Sequence, residues 1–204
     1  MEPVVILHGL GRTSSSMRKL GRRVEEAGFD AVMINYPSRK ATISGLVQAI
    51  WPHVPLGERV HFVGHSLGGI LAKDLMRRVP DKFRGRIVQL GAPNLGSEIA
   101  QRASLFGPII GPLIGPVLGE LVPHAPEDDA GLDIGAIAGT AALEAYGIVT
   151  GIHGENDGKV SVASACGSAP PAKCLKLPVA HSTMMLDDYL IHSTIHFLKT
   201  GSFY

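Results

Sequence analysis

The sequence predicts an α/β protein in which a mostly parallel sheet of about six strands carries helices on both faces. Short runs that are apolar throughout, such as Pro3–Leu7 and Arg86–Leu90, alternate with longer segments of helical periodicity. Strands without polar alternation are buried on both faces, which is typical of parallel sheets covered by helices. The chain of 204 residues is expected to form one domain, 1–204, with a substantial core.

The predicted elements follow one another in a regular order along the chain. Glycine and proline residues are placed to end the helices, at Gly28, Pro52 and Pro80. Ligands bind beyond the carboxyl ends of parallel strands, so catalytic residues are expected directly after strands. The expected strands are Pro3–Leu7, Ala31–Tyr36, Arg59–Gly64, Arg86–Leu90, Tyr146–Ile152 and Cys174–Val179, and the expected helices are Ser14–Ala27, Ile43–Trp51, Leu67–Val79 and about Thr183–Leu198.

The segment of about residues 96–139 interrupts this alternation. Between Gly107 and Leu118 it repeats Gly-Pro followed by two large apolar residues. Interior prolines each destabilise a helix by about 3 kcal/mol, so a membrane-spanning helix is not expected here. Two interpretations stay open: an irregular apolar loop packed on the domain, or a small lid-like insertion. As a lid, the segment would line an apolar substrate pocket with Ile109, Ile110, Leu113 and Ile114, and could make transient contact with a lipid surface.

A serine motif follows the third predicted strand. Gly64-His65-Ser66-Leu67-Gly68 matches G-x-S-x-G and lies directly between the strand Arg59–Gly64 and the helix Leu67–Val79. In that context the serine occupies a sharp turn that holds its hydroxyl above the sheet, and small neighbours relieve the crowding. The motif predicts Ser66 as a nucleophile and the backbone N–H of Leu67 as an oxyanion donor. The alternative is an ordinary glycine-rich turn with an incidental serine.

A second glycine-containing loop, His8-Gly9-Leu10-Gly11, follows the first predicted strand. Acyl transfer needs two backbone N–H donors for the tetrahedral oxyanion, and one of them comes from a loop after an earlier strand. Leu10 is the candidate for this second donor. Alone the loop is a weak signal, since a glycine turn with a packed histidine would look the same.

The base and the acid are sought in the order Ser, Asp or Glu, His along the chain. His181 follows the last predicted strand and precedes the final helix, which places it at the same sheet edge as Ser66. Asp157 follows the predicted strand Tyr146–Ile152, within a turn that also contains Glu155. Asp157 is therefore the predicted acid and His181 the predicted base. Glu155 is a second choice for the acid, and weaker candidates are Asp128, Asp129 and Asp133.

Composition limits the partners and the compartment. A formal net charge of +1 gives no reason to expect nucleic acid as a partner. Cys166 and Cys174 could form a small disulfide loop, but free thiols are the expectation in a reducing compartment. Two cysteines make a poor zinc site, so no metal is expected. A strand that begins at Pro3 leaves no room for a secretory signal before it, which favours a cytoplasmic protein.

Together, the His8–Gly11 loop, the Gly64–Gly69 turn, Asp157 and His181 resemble α/β-hydrolase lipases and esterases. Leu90–Ser97 is also similar to the segment after a strand in small bacterial lipases and in GPI inositol-deacylase-like hydrolases. The resemblance implies an α/β-hydrolase fold reduced at the N-terminus, because the chain starts at the third strand of larger members.

That resemblance also implies an activity. It points to a carboxylic ester or lipid substrate, an acyl-enzyme intermediate and no cofactor, with a triad of Ser66, Asp157 and His181. Leu10 and Leu67 would be the oxyanion donors. A thioesterase or acyltransferase with the same triad remains an alternative, as does a non-catalytic binding protein on a hydrolase scaffold. The sequence leaves the oligomeric state open.

Overall fold

Six parallel strands form one sheet in the computed structural model, in the order β2-β1-β3-β4-β5-β6. The structure describes residues 1–97, 115–122, 129–142, 152, 154–167 and 169–204. The strands are β1 (Pro3–Leu7), β2 (Asp30–Ile34), β3 (Val60–His65), β4 (Arg84–Leu90), β5 (Asp133–Gly139) and β6 (Cys174–Leu177). The helices are α1 (Arg18–Glu26), α2 (Ile43–Ile50), α3 (Leu67–Arg78), α4 (Val162–Cys166) and α5 (Asp188–Thr200).

Both faces of the sheet are covered, as the apolar strands predict. All residues of β1 are buried, and successive side chains enter different clusters. Val5 and Leu7 pack in a cluster that includes buried residues of α2 and α3. Val4 and Ile6 pack in the cluster that includes buried residues of α1 and α5. The predicted class, a parallel sheet of six strands between two layers of helices, is confirmed.

Most predicted elements are present with small shifts at their ends. β1 has the predicted bounds, and α2 begins at Ile43 as expected. The final helix begins later than predicted, because Asp187 caps it: the Asp187 carboxylate accepts a hydrogen bond from the Leu190 N–H at 2.8 Å. The residues Met184–Leu186, which the sequence assigns to that helix, form a separate 3-10 turn.

The fifth strand is not where the sequence predicts it. β5 is Asp133–Gly139, inside the segment that was expected to be irregular, and it pairs with both β4 and β6. Its sequence is rich in glycine and alanine, which are depleted in strands, so it gave no strand signal. The small residues serve packing, since a Cβ on Gly135 would lie 2.6 Å from Cε2 of Phe197 in α5. The predicted strand Tyr146–Ile152 lies outside the described residues except for Ile152.

The part of the predicted insertion around Pro116–Leu121 packs on the domain. Pro116–Leu121 forms a 3-10 turn in which Val117 is buried in the cluster of α2 and α3. The Ile43 N–H donates to the Glu120 carboxylate at 2.8 Å, and the Ser97 N–H donates to the Leu121 carbonyl at 2.8 Å. This end of the segment therefore packs on the domain.

Residues 98–114 and 123–128 of that segment lie outside the described residues. Ile109, Ile110, Leu113 and Ile114 lie beyond the described residues, so the lid and its substrate-binding role stay predictions. Within the described ranges, every helix is too short or too polar to span a bilayer.

Cys166 and Cys174 form a disulfide, with their Cα atoms 5.5 Å apart. The expectation of two free thiols is therefore wrong. The pair joins the last residue of α4 to the first residue of β6. Both cysteines pack against a small apolar cluster, so the bond is part of the core at this end of the sheet. The buried members of that cluster are Ala138, Val160, Val162 and Ala165.

Candidate active site

Ser66 occupies the turn between β3 and α3. Its backbone has φ 54° and ψ −121°. Among the described residues it is the only non-glycine residue with a positive φ. Such strain persists only where the surroundings impose it, and it is concentrated at functional sites. Two backbone bonds hold the turn: the Ser66 N–H donates to Leu90 at 2.9 Å, and the Ser66 carbonyl accepts from Gly69 at 2.9 Å.

The flanking glycines allow the backbone to pack this closely. A Cβ on Gly64 would lie 2.3 Å from the Gly68 carbonyl carbon. A Cβ on Gly68 would lie 2.5 Å from the Leu7 carbonyl oxygen. Both contacts are with backbone atoms, which cannot move away as a flexible side chain could. The G-x-S-x-G spacing therefore reflects the approach of α3 to the ends of β1 and β3.

The two predicted oxyanion donors belong to this turn and to the loop that packs against it. Leu67 is the first residue of α3, and Leu10 follows Gly9, on which a Cβ would lie 3.3 Å from the Ser66 Cβ. Within the described residues, neither backbone N–H donates a hydrogen bond. The loop is tied down nearby, because the Gly11 N–H donates to the Ser38 hydroxyl at 2.9 Å. Two free N–H groups beside Ser66 suit an oxyanion.

His181 and Asp157 form a buried pair. Nδ1 of His181 lies 2.7 Å from Oδ2 of Asp157, and the two side chains are 6% and 1% exposed. Oδ1 of Asp157 accepts from the N–H groups of Lys159 at 2.9 Å and Val160 at 2.8 Å. The His181 N–H also donates to the Asp157 carbonyl at 2.9 Å. A carboxylate at Nδ1 places the proton there, which leaves Nε2 as a proton acceptor.

The end of β4 brings the pair to the same edge as Ser66. Gly91 has φ 58°, and a Cβ on it would lie 2.9 Å from Asp157 Oδ2 and 3.2 Å from His181 Nδ1. The residue before it, Leu90, accepts the Ser66 N–H. The His181 ring also packs against the ring of His65, the neighbour of Ser66, with centroids 4.8 Å apart. The structure thus brings Ser66, Asp157 and His181 to one edge of the sheet.

No family model matches the sequence, and no curated protein matches it. Solved structures do match. The chain has the α/β-hydrolase fold. It resembles the mature lipase BlEst2 of Bacillus licheniformis at 19% identity and a TM-score of 0.70, over 98% of this chain and 92% of that one. At such identity the likeness establishes the fold.

Two further solved structures share this hydrolase fold over part of their length. Phospholipase PlaB of Legionella pneumophila matches at 20% identity and a TM-score of 0.60, over 81% of this chain and 45% of that one. The metagenomic carboxyl esterase MGS0156 matches at 18% identity and a TM-score of 0.63, over 88% of this chain and 64% of that one.

The other acid candidates are paired away from His181. Glu155 forms an ion pair with Lys176 at 2.7 Å, and Asp133 forms one with Arg86 at 3.0 Å. Asp129 lies 3.3 Å from Lys73 on α3. Asp128 lies outside the described residues. Among the described acid candidates, Asp157 alone contacts the predicted base.

His8 and Tyr36 form a support for the loop after β1 in this α/β-hydrolase fold. Their rings stack with centroids 4.1 Å apart, and the Tyr36 hydroxyl donates to the His8 carbonyl. Nδ1 of His8 donates to the Gly9 carbonyl at 2.9 Å, and Nε2 of His8 accepts a hydrogen bond from the Tyr36 N–H at 3.3 Å. Burial lowers the pKa of His8, consistent with this neutral form. The sequence did not single out Tyr36, because nothing local links it to the loop.

Proposed function

We propose that the protein is a serine hydrolase that cleaves carboxylic esters, as an esterase or lipase. One observation carries the proposal: a strained, partly exposed Ser66 lies at the same sheet edge as a buried imidazole–carboxylate pair. A strained serine between a strand and a helix, with a histidine oriented by an acid, is the arrangement that activates a hydroxyl nucleophile. Ser66, His181 and Asp157 are the proposed nucleophile, base and orienting acid.

In the proposed mechanism, Ser66 Oγ attacks the ester carbonyl as Nε2 of His181 takes its proton. Asp157 keeps the proton of the imidazole on Nδ1 and stabilises the imidazolium that forms. The carboxylate is itself fixed by the Lys159 and Val160 N–H groups, so the ring keeps its orientation while it is charged. The alcohol leaves with the proton held on Nε2, and an acyl-enzyme remains.

The backbone N–H groups of Leu10 and Leu67 are the proposed oxyanion donors. Both are unpaired within the described residues and lie beside Ser66. The second of them is at the start of α3, where the helix dipole also favours negative charge. Each such donor contributes about 10²- to 10³-fold in rate. Water activated by His181 then attacks the acyl-enzyme, and the same donors stabilise the second tetrahedral intermediate.

The proposed substrate class is a carboxylic or lipid ester. The similar folds include a lipase, a phospholipase and a carboxyl esterase, which supports ester chemistry. A cavity of about 220 Å³ opens beside the acid–base pair. Its lining combines the small residues Ala141, Ala142, Gly158 and Ala180 with Asp157, Lys159, His181 and Ser182. The apolar Gly-Pro segment, with Ile109 and Ile114, is the proposed wall for an acyl chain and the proposed contact with a lipid surface.

The test is hydrolysis of p-nitrophenyl esters with short, medium and long acyl chains. Ser66→Ala should lower kcat by about 10⁴- to 10⁶-fold on every ester, because the nucleophile is lost. Ser182→Ala is the matched control: this exposed serine neighbours His181 and lines the same cavity, and among the described residues it makes a hydrogen bond only through its carbonyl, with Arg12. We expect the kcat of Ser182→Ala to be near that of the wild type. Ser66→Ala activity near wild type would contradict the proposal.

The same assay separates the related chemistries. Parallel reactions with a thioester, and with an ester plus an added alcohol, measure thioesterase and acyltransferase activity. The proposal expects the free acid from an oxygen ester as the dominant product. A dominant thioester reaction, or transfer to the alcohol in preference to water, would replace ester hydrolysis with the corresponding activity of the same Ser66.

A further inference from the structure

His65 is a buried titratable residue that the proposed mechanism does not use. It is the last residue of β3, directly before Ser66, and is 1% exposed. Its position beside Ser66 in the sequence does not by itself indicate a role. In the structure its Nε2 lies 3.0 Å from the carbonyl oxygen of His181, and its ring packs on the His181 ring at 4.8 Å and 49°.

The partner of Nε2 determines where the proton of His65 is. A carbonyl oxygen can only accept, so Nε2 carries the proton and Nδ1 presents a bare lone pair. Nδ1 is buried and has no hydrogen-bond partner within the described residues. Burial, with the charges of His181 and Arg12, lowers the pKa of His65 well below its usual range, which keeps the ring neutral.

On its other side the ring touches the loop after β1. A Cβ on Gly9 would lie 2.7 Å from Nδ1 of His65 and 3.2 Å from Cε1. Gly9 precedes Leu10, the proposed oxyanion donor. The imidazole of His65 therefore packs between the loop His8–Gly11, which we call the oxyanion loop, and the main chain of His181, the proposed base.

An unpaired buried acceptor is unfavourable for folding, so it calls for a reason other than stability. An apolar side chain of the same length would fill the space between Gly9 and His181 without burying a lone pair. It would lack only the N–H that binds the His181 carbonyl. The feature that distinguishes histidine from such a side chain here is thus the bond to the base.

We propose that His65 is a positioning residue for the reaction of Ser66. Its Nε2–H holds the main chain of His181, and its ring sets the separation between that base and the oxyanion loop. The inference rests on the proposed function, because it concerns the same site. The reaction rate depends steeply on the distances between the reacting groups, since a misplacement of about 1 Å can lower the rate by about 10²-fold.

Two variants of matched length test this role. In His65→Gln the amide nitrogen is as many bonds from Cβ as Nε2 of histidine, so it can still donate to the His181 carbonyl. His65→Met fills similar space without a donor. We expect kcat to fall about 10- to 100-fold in the methionine variant with KM nearly unchanged, and to recover most of that loss in the glutamine variant. His65→Met exchanges one unpaired buried acceptor, Nδ1 of His65, for another, the His181 carbonyl, so both proteins should melt close to the wild type.

Proton NMR gives a readout that is independent of turnover. The downfield signal of the proton between His181 Nδ1 and Asp157 should broaden or vanish in His65→Met and persist in His65→Gln. His192→Gln, on the exposed face of α5, is the control and should leave the signal and kcat unchanged.

Several outcomes would overturn the positioning role. Wild-type kcat and an unchanged NMR signal in His65→Met would do so, as would a large loss of thermal stability with kcat unchanged. If no protein, wild type included, hydrolyses an ester while the signal follows the donor, the proposed function fails and the hydrogen-bonded positioning of His181 stands.

Discussion

The two halves of the candidate site are held in place by different forces. The half around Ser66 is fixed by close backbone contacts, with Gly64 and Gly68 placed where a Cβ would meet backbone atoms at 2.3 and 2.5 Å. The half around His181 is fixed by hydrogen bonds: the Asp157 carboxylate accepts from two N–H groups and contacts the imidazole. The first half depends on shape, and the second depends on polar partners.

This difference predicts different consequences of substitution. A change that adds volume at the Ser66 turn forces backbone apart and should destabilise the whole fold. A change in polarity at Asp157 leaves the volume unchanged and should affect the reaction alone. Stability and turnover can therefore be separated by choosing the half in which a residue is replaced.

The largest expected effect is on turnover in Asp157→Asn. The amide keeps an oxygen for the Lys159 and Val160 N–H groups, but it no longer offers a carboxylate to His181 Nδ1. The ring loses its productive tautomer and the charge that stabilises the imidazolium, so kcat should fall about 10⁴-fold. The unfolding transition in urea should stay close to that of the wild type.

Glu155→Gln is the control for that substitution, because Glu155 lies two residues away in an exposed ion pair with Lys176. Its kcat should be near that of the wild type. A substantial residual kcat in Asp157→Asn, or a loss of similar size in Glu155→Gln, would remove Asp157 from the mechanism.

Gly64→Ala should produce the next largest effect, on stability. The added methyl group overlaps the backbone of Gly68 and Gly69, and neither can move without displacing α3. We expect the free energy of unfolding to fall by about 3 kcal/mol or more, as for severe overpacking, with activity lost in the same variant. Gly119→Ala is the comparison, since a Cβ there meets nothing within 4 Å. Equal urea midpoints for the two variants would refute a steric origin for this half.

The disulfide is expected to contribute stability without chemistry. Replacing Cys166 and Cys174 by serine opens a short covalent loop between α4 and β6. The free energy of unfolding should decrease by about 2–3 kcal/mol, while kcat on the preferred ester should change little. The reduced wild type should behave as the double variant does. A large loss of kcat with unchanged stability would instead tie the bond to the position of Asp157.

The smallest effect per residue concerns pH and three buried histidines. Burial lowers the pKa of His8, His61 and His65 below the usual 6.5. Below about pH 6.5 the unfolded chain binds protons that the folded chain does not. The free energy of unfolding is therefore highest above that pH and decreases as the pH falls through it. Each histidine should contribute a slope of up to about 1.4 kcal/mol per pH unit.

Urea unfolding at about pH 7.5 and pH 5.5 measures that slope. His61→Gln should lower it, because this ring is fully buried and lies outside the candidate site. His192→Gln, at an exposed position, should not. Stability that rises on acidification, or an unchanged slope in His61→Gln, would contradict the assignment of these rings as neutral.

Local sequence predicted the features that local geometry controls. G-x-S-x-G identifies Ser66 because the turn itself demands the glycines, and the apolar runs identify β1 and β4 because their neighbours bury both faces. β5 was missed because its glycines and alanines are residue types depleted in strands. The packing that requires one of them, Gly135, is with Phe197, which lies far along the chain in α5. His65 was missed because its partners, Gly9 and His181, are also distant in the chain. The disulfide could not be predicted for a similar reason, because its formation depends on how closely the end of α4 approaches the start of β6.

The central claim is that Ser66 is a nucleophile activated by His181 and Asp157. The most direct measurement is the mass of the protein after reaction with a fluorophosphonate, followed by peptide mapping of the adduct. The account predicts one adduct per chain, on Ser66, formed far more slowly in Asp157→Asn and absent in Ser66→Ala. An unmodified wild type, or an adduct on another residue such as Ser182, would contradict it.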